Sequence, residues 1–302
     1  MALYELAMLL SSVARIHELE YMPPHIREAA ANIFCDLVYL VGSIASHYKQ
    51  RISSLKPGST ISISLDTAFG KQIDEIWQAK ETLCDRVWSY KLGNKGFSIS
   101  LQSVRRRLQL SAKSSVRNSL YDEVYEHLDR SEDTCNWIKG RLVHFLGSND
   151  KFLNITGSAG RGKSVLAEWV GERLARPLDH RFYTVLSYNF PWDSPKEATP
   201  LACVKSFLFQ LLERSVGDVA LYERLVQAFE IYSKTSNAGN LEATLWDTLR
   251  TGLLAAERAE TSIVLLTDGC DEMSEKNVKE FHQALRRCVA DLSRTHVITF
   301  SR

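Results

Sequence analysis

Over the first 130 positions apolar residues recur every three or four places, the period of a helix with one buried face. Ile26, Ala30, Ile33, Leu37, Val41, Ile44, Tyr48 and Ile52 form one such stripe. Pro23-Pro24 ahead of it suits a helix entry, and Lys56-Pro57-Gly58-Ser59 behind it signals a turn. Leu65, Phe69, Ile73, Trp77, Leu83 and Val87 make a second stripe, ending before Gly93-Asn94-Lys95-Gly96. A third passes through Leu101, Val104, Leu108, Ala112, Val116, Leu120, Val124 and Leu128. Each stripe needs a neighbour to cover it, so 1–130 is expected to be an all-α antiparallel helical bundle. The stripes are too wide for a strict coiled-coil seam.

From about residue 131 the pattern changes. Phe152–Thr156, Phe182–Tyr188, Ser262–Thr267 and His296–Phe300 are short apolar or β-branched runs, the third nearly continuous, as in a strand buried on both faces. Helical spacing separates them at 163–174, 200–214, 218–232, 241–257 and 275–293. Strand alternating with helix predicts an α/β domain over 131–302, a parallel sheet flanked by helices.

Composition adds mainly exclusions. The 302 residues carry 37 Lys and Arg against 36 Asp and Glu, a net charge of +1, so no basic excess points to nucleic acid as a partner. At 45% hydrophobic and 24% charged, the chain reads as folded and soluble. No run of about 18 uninterrupted apolar residues is present, which argues against a membrane span. The opening MALYELAMLLSSVARI lacks a basic n-region and is broken by Glu5, unlike a secretory signal. Six cysteines without a CxxC pair and eight scattered histidines suggest a reduced, cytoplasmic protein without structural zinc.

The sharpest chemical signal is Gly157-Ser158-Ala159-Gly160-Arg161-Gly162-Lys163-Ser164, which fits GxxxxGK[ST] between a strand and a helix that opens with Val165. Glycines let the backbone curl until its N–H groups converge on a phosphate, and the helix aims its positive end at the same place. Lys163 would reach the β- and γ-phosphates of ATP or GTP, and the Ser164 hydroxyl would ligate Mg²⁺. The plain alternative is a Gly-rich turn capping a helix. A second strand must then bring an acid to the metal, and Leu265-Leu266-Thr267-Asp268 supplies one. Asp271 and Glu272 follow within a turn and are candidates to orient or deprotonate a water. Alone, they would read as an ordinary turn and a helix-start charge pair.

TDGCDE after an apolar strand, together with GSAGRGKS, resembles the NACHT group of signal-transduction NTPases within the STAND class of P-loop proteins. Asp133-Thr134-Cys135-Asn136-Trp137-Ile138, SVLAEWVGERL and SFLFQLLER are similar to the nephrocystin-type N-terminal NTPase module of fungal NACHT proteins. The resemblance implies a P-loop NTPase fold over 131–302 and a sensor role for Arg302 toward the γ-phosphate. Phe300 departs from it, standing where the family has a small or hydroxyl residue. The resemblance also implies helical and winged-helix domains further on, so a chain ending at Arg302 reads as C-terminally truncated.

The expected function is a nucleotide-binding signalling switch with slow Mg²⁺-dependent hydrolysis, in which Asp271, Glu272 and Arg302 serve the reaction. The alternative is a scaffold that holds nucleotide without hydrolysing it, and a small-molecule kinase is a third option. The bundle would recruit protein partners, with nucleotide-dependent self-association and no membrane role. Arg105-Arg106-Arg107 reads as a solvated helix face, and Leu3–Ile16 as a core helix of the bundle. Tyr183, Tyr188 and Trp192 read as buried, while Trp137 is either core or a neighbour of the base.

Overall fold

A computed structural model describes residues 22–54, 65–93, 97, 99–109, 135–174, 178 and 181–302. Leu3–Ile16, the turn at 56–59, the third stripe beyond Gln109 and the Asp133-Thr134 lead-in lie outside the described residues. Contacts divide the chain into two units, between Lys95 and Gly96.

The first unit holds two long helices, α1 (Pro24–Ser54) and α2 (Leu65–Leu92), packed on each other. Pro24 suits a first helical turn, where no intrahelical N–H bond is forfeited. Ile26, Ala30, Ile33, Leu37, Leu40 and Ile44 are buried on α1, and Phe69, Ile73, Ile76, Leu83 and Val87 on α2. Leu40 thus takes the place expected of Val41, which is exposed with Val38 and Tyr39. Among the described residues, Pro24–Gln50 is one stretch long and apolar enough to cross a membrane by length and composition, with a mean hydropathy of 1.5.

The second unit is a four-stranded parallel sheet with helices on both faces. Its strands are β1 (Phe152–Thr156), β2 (Tyr183–Asn189), β3 (Ser262–Asp268) and β4 (Thr295–Ser301), in the spatial order β1-β4-β3-β2. Parallel neighbours need crossovers. These are α5 (Lys163–Leu174), then α6 (Pro200–Arg214), α7 (Val219–Thr235) and α8 (Ala238–Arg258), then α9 (Glu275–Val289). β4 is inserted between β1 and β3, with Thr156 beside Ser301 and Thr267 beside Thr299. β3 and β4 are buried along nearly their whole length, as their continuous apolar runs require.

On one face α5 and α4 (Lys139–Gly147) close a core of Leu142, Phe145, Leu166, Val170, Ile298 and Phe300. Phe300 fills that core, so its bulk serves packing. On the other face Tyr188, Phe190, Phe281 and Trp246 form a chain of rings with centroids 4.9, 5.2 and 6.1 Å apart. Tyr183 and Tyr188 are buried as expected; Trp192 is not, being 74% exposed, and Trp137 is 66% exposed and so not core.

A short helix, α3 (Leu101–Leu108), belongs to this second unit rather than to an N-terminal bundle reaching residue 130. It starts where Ser100 Oγ accepts the Ser103 N–H and ends at Gln109, whose ψ of 131° leaves the helix. Val104 and Leu108, one turn apart, are fully buried, and α3 packs on α6 and α7. Arg105 Nε meets Glu213 at 2.6 Å, and Arg107 lies 5.5 Å from the Phe229 ring centre with Nη1 3.3 Å from Ser233 Oγ. Arg106 and Arg107 are exposed, as expected of a solvated face, although Arg107 also touches its own domain; Arg105 departs from that expectation, being half-buried against Glu213.

The entrance to β4 is held by one carboxylate. Glu257 on α8 accepts the Ser293 and Arg294 N–H groups at 2.8 Å and Thr295 Oγ1 at 2.7 Å. Burial pushes its pKa up, but these hydrogen bonds outweigh it and hold the group below 4.5. His296, beside it, is pushed below 6.5 by burial, and its Nδ1 lies 3.1 Å from the Asp150 carbonyl. Both groups bind protons more readily when unfolded, so their stabilisation is present at neutral pH and lost on acidification. The unfolding midpoint is expected to fall below about pH 6.5 through His296 and again below about pH 4.5 through Glu257. Glu257→Gln should cost about 1–2 kcal/mol at pH 7 and flatten the lower stage in a thermal-melt series. An unchanged acid limb in that variant would contradict the assignment.

Candidate functional site

In a parallel sheet every strand ends on the same edge, so β1, β3 and β4 deliver their C-terminal residues together. β1 and β3 are both neighbours of β4, which puts the two strand ends about 10 Å apart at the usual strand spacing. Lys163 and Asp268 therefore sit at one edge of the molecule.

The loop after β1 begins with a tie to β4: the Gly157 N–H donates to the Ser301 carbonyl at 3.3 Å. Gly160 and Gly162 have φ of 72° and 75°, a left-handed conformation that a side chain would strain. A Cβ on either would meet nothing within 4 Å, so the loop borders open space. Leu166 N–H takes the Gly162 carbonyl at 2.9 Å as α5 begins, and the preceding N–H groups of that first turn have no intrahelical acceptor. Lys163 curls back over the loop, its Nζ donating to the Gly157 carbonyl at 2.7 Å and to the Ser158 carbonyl at 3.0 Å. Ser158, Ala159 and Arg161 are exposed, while Ser164 and Val165 are half-buried in the first turn of α5.

Asp268 ends β3 and is 7% exposed. Its register partner is Asn189, the last residue of β2, and its carbonyl accepts the Phe190 N–H at 2.9 Å. Gly269 follows with φ 73°, and a Cβ there would lie 3.0 Å from the Phe190 carbonyl oxygen. The chain then makes a 3-10 turn, Cys270–Glu272, pinned by buried Cys270, whose Sγ is 3.3 Å from Thr267 Oγ1. Burial pushes the Cys270 thiol up to about 12, so it is a packing group and no nucleophile.

The turn presents Asp271 and Glu272 to Arg302. The Arg302 N–H donates to Asp271 Oδ1 at 2.9 Å, its Nε lies 3.0 Å from Asp271 Oδ2, and its Nη2 lies 3.0 Å from Glu272 Oε1. Sequence reasoning singled out all three residues but not their mutual pairing. It also missed Asn189, whose only signal was a polar residue at the end of β2.

Chemically, the edge offers a glycine loop at a helix N-terminus, a lysine, a hydroxyl and a carboxylate. Ser164 and Asp268 are hard oxygen donors, the type Mg²⁺ takes in small number while phosphate and water complete its shell. Among the described residues no cluster of three or more His, Cys, Asp or Glu could hold a metal unaided. An open groove of about 510 Å³, lined by His25, Thr82, Asp85, Arg86, Ser89 and Tyr90, belongs to the helical unit and has no comparable convergence of groups.

Gly269→Ala is expected to destabilise the protein by about 2 kcal/mol, through the left-handed backbone and the Phe190 carbonyl together. Urea unfolding should show a lower midpoint with an unchanged slope. A midpoint equal to wild type would mean the turn relaxes freely.

Comparison with curated proteins and with solved structures returns no match. The family model described as "Nephrocystin 3, N-terminal" matches residues 126–302, more than half of the chain. That span holds the whole sheet, the glycine loop and the acidic turn, and it agrees with the resemblance read from the motifs. The chain belongs to the nephrocystin 3 N-terminal family.

Proposed function

We propose that this chain is a nucleotide-binding signalling switch of the NACHT type, a P-loop NTPase that binds ATP or GTP with Mg²⁺ and hydrolyses it slowly. One observation carries the reading: a loop with two left-handed glycines and a folded-in lysine leads into a helix beside a strand that ends in a buried aspartate. In it Gly157 anchors the loop to β4 while the backbone N–H groups that follow, through Val165, hold phosphate oxygens, and Lys163 exchanges the Gly157 and Ser158 carbonyls for phosphate. Ser164 and Asp268 hold the magnesium, which offsets phosphate charge. Asp271 or Glu272 positions a water, and Arg302 addresses the terminal phosphate. Catalysis of this kind is positioning and electrostatics, so slow turnover is compatible with a complete set of groups.

A second reading, a scaffold that holds nucleotide without hydrolysis, is favoured by the ion pairs of Arg302, which engage both carboxylates assigned to water. The remaining proposals concern the setting. The exposed Val38, Tyr39 and Val41 on α1 support a protein partner for the helical unit, and the near-neutral charge gives no support to nucleic acid. Six free cysteines, five of them buried, support a reducing, cytoplasmic location. Nucleotide-dependent self-association is part of the same proposal and is read by light scattering with and without nucleotide.

Lys163→Ala is expected to weaken binding of a fluorescent ATP or GTP analogue at least about tenfold, as removal of a charged partner to phosphate should. Wild-type affinity in that variant would end the assignment. Chromatography of nucleotide released from the purified protein identifies the base. Phosphate release by Asp271→Asn and Glu272→Gln, assayed separately, should fall in whichever variant lacks the water-positioning group. Rates equal to wild type in both would leave the scaffold reading.

A further inference from the structure

The last residues of β2 are held at several points. The Ser187 N–H donates to Gln210 Oε1 at 3.0 Å, and Gln210 Nε2 donates to the Ser187 carbonyl at 2.7 Å, so one amide on α6 grips both backbone groups. The Tyr188 hydroxyl donates to the Glu197 carbonyl at 2.6 Å, and the Phe190 N–H donates to the Asp268 carbonyl at 2.9 Å. Both rings are buried. Asn189 stands between these anchors, yet among the described residues its carboxamide has no hydrogen-bond partner. Asparagine is also a poor strand former, so neither propensity nor a structural hydrogen bond accounts for it.

Its surroundings do. Register partners in a parallel pair share a face, so the Asn189 and Asp268 side chains stand about 5 Å apart on one side of the sheet. Beside them Gly269 has no side chain. The place where its Cβ would stand is 3.5 Å from Asn189 Oδ1 and 3.6 Å from Glu272 Cγ, and Glu272 is the acid nearest to that point. Oδ1 and Cγ are therefore at most about 7 Å apart across the bare glycine, and with the carboxylate oxygens beyond Cγ one water bridges the span. The Arg302 contact takes Glu272 Oε1, which leaves Oε2 to face that water.

We propose that Glu272 and Asn189 are the two acceptors that orient the attacking water, an inference that rests on the hydrolytic reading above. A water attacks phosphorus through a lone pair, so both of its protons must point away from the phosphate. One carboxylate fixes a single O–H, and the molecule still turns about that bond until a second acceptor fixes the other. Asn189 Oδ1 is that acceptor, preorganised because its backbone is anchored on either side. An amide suits the place better than a further acid, since it adds no negative charge beside Asp268. The water oxygen bonds to the terminal phosphorus as the bond to the bridging oxygen breaks, and that electron pair leaves with the diphosphate. One proton stays on the oxygen that attacked; the other leaves through Glu272 to solvent.

The test is single-turnover phosphate release by the full chain, beside equilibrium binding of a non-hydrolysable triphosphate analogue, both with Mg²⁺. Asn189→Leu, close in size but without the acceptor, is expected to slow release about tenfold while affinity stays within about twofold, the scale of one hydrogen bond lost from the transition state. In a Glu272→Gln background the same substitution should cost less than it does alone, because both side chains hold one water. Asn189→Asp, which keeps the acceptor, should release phosphate faster than Asn189→Leu. A wild-type rate in Asn189→Leu would overturn the proposal, as would losses from Asn189→Leu and Glu272→Gln that simply multiply. Equal losses of affinity and rate, or Asn189→Asp no faster than Asn189→Leu, would make the position a support of the fold and overturn it too. If wild type binds nucleotide without releasing phosphate, the hydrolytic reading falls and this inference with it. If wild type releases phosphate and Asn189→Leu does so equally, the assignment of Asn189 alone falls. Thermal melts of each variant confirm that the assayed protein is folded.

Discussion

The hydrogen-bonded ladder between β4 and its two neighbours is the constraint on which the candidate site depends. β1 and β3 carry the glycine loop and Asp268, yet they do not pair with each other; each pairs with β4. Their ends are therefore aligned only through that strand. Its C-terminal residue also ties the loop directly, through the Gly157 N–H, and the next residue ties the acidic turn. One central strand thus sets the depth at which phosphate-type and metal-type groups emerge. Its own placement is set by burial on both faces and, at the far edge of the sheet, by the Glu257 carboxylate.

Much of this was legible in the sequence because long, doubly buried strands leave no choice of residue. Ser262–Thr267 and His296–Phe300 read as strands from their apolar runs, and they are β3 and β4 with one or two residues added. The loop was legible for a different reason: glycine adopts the left-handed backbone found at Gly160 and Gly162 with least strain, so the glycines of the loop carry part of its geometry with them. Helical periodicity located the intervening helices well, since each covers the sheet with one stripe.

What the sequence hid were interactions between residues far apart in the chain. The Arg302 pairs join positions 30 and 31 residues apart, and no local pattern marks them. Trp192 and Trp137 are exposed although aromatics usually pack: Trp192 stands on the turn after β2, and Trp137 on the short 3-10 helix Asn136–Ile138 ahead of α4, where its neighbour Ile138 is the buried residue. Val41 and Leu40 exchanged roles because a stripe drawn at steps of three and four is ambiguous by one position over several turns. The arginine run misled in part, at Arg105 above all, for a related reason. Its charges suggested water, but Glu213 and the ring of Phe229 are contributed by helices more than a hundred residues later.

The placement of α3 bears on where this domain truly starts. The family match opens at residue 126, but Val104 and Leu108 reach α6 and α7 from outside it, and Tyr222 donates its hydroxyl proton to the Ile99 carbonyl. A fragment cut at the family boundary would uncover an oily furrow between α6 and α7, leaving Glu213 without its guanidinium and Tyr222 without its acceptor. Such a piece would be prone to stick to itself in solution, and any oligomer it formed would report the missing thirteen residues 97–109 rather than the biology of the intact chain.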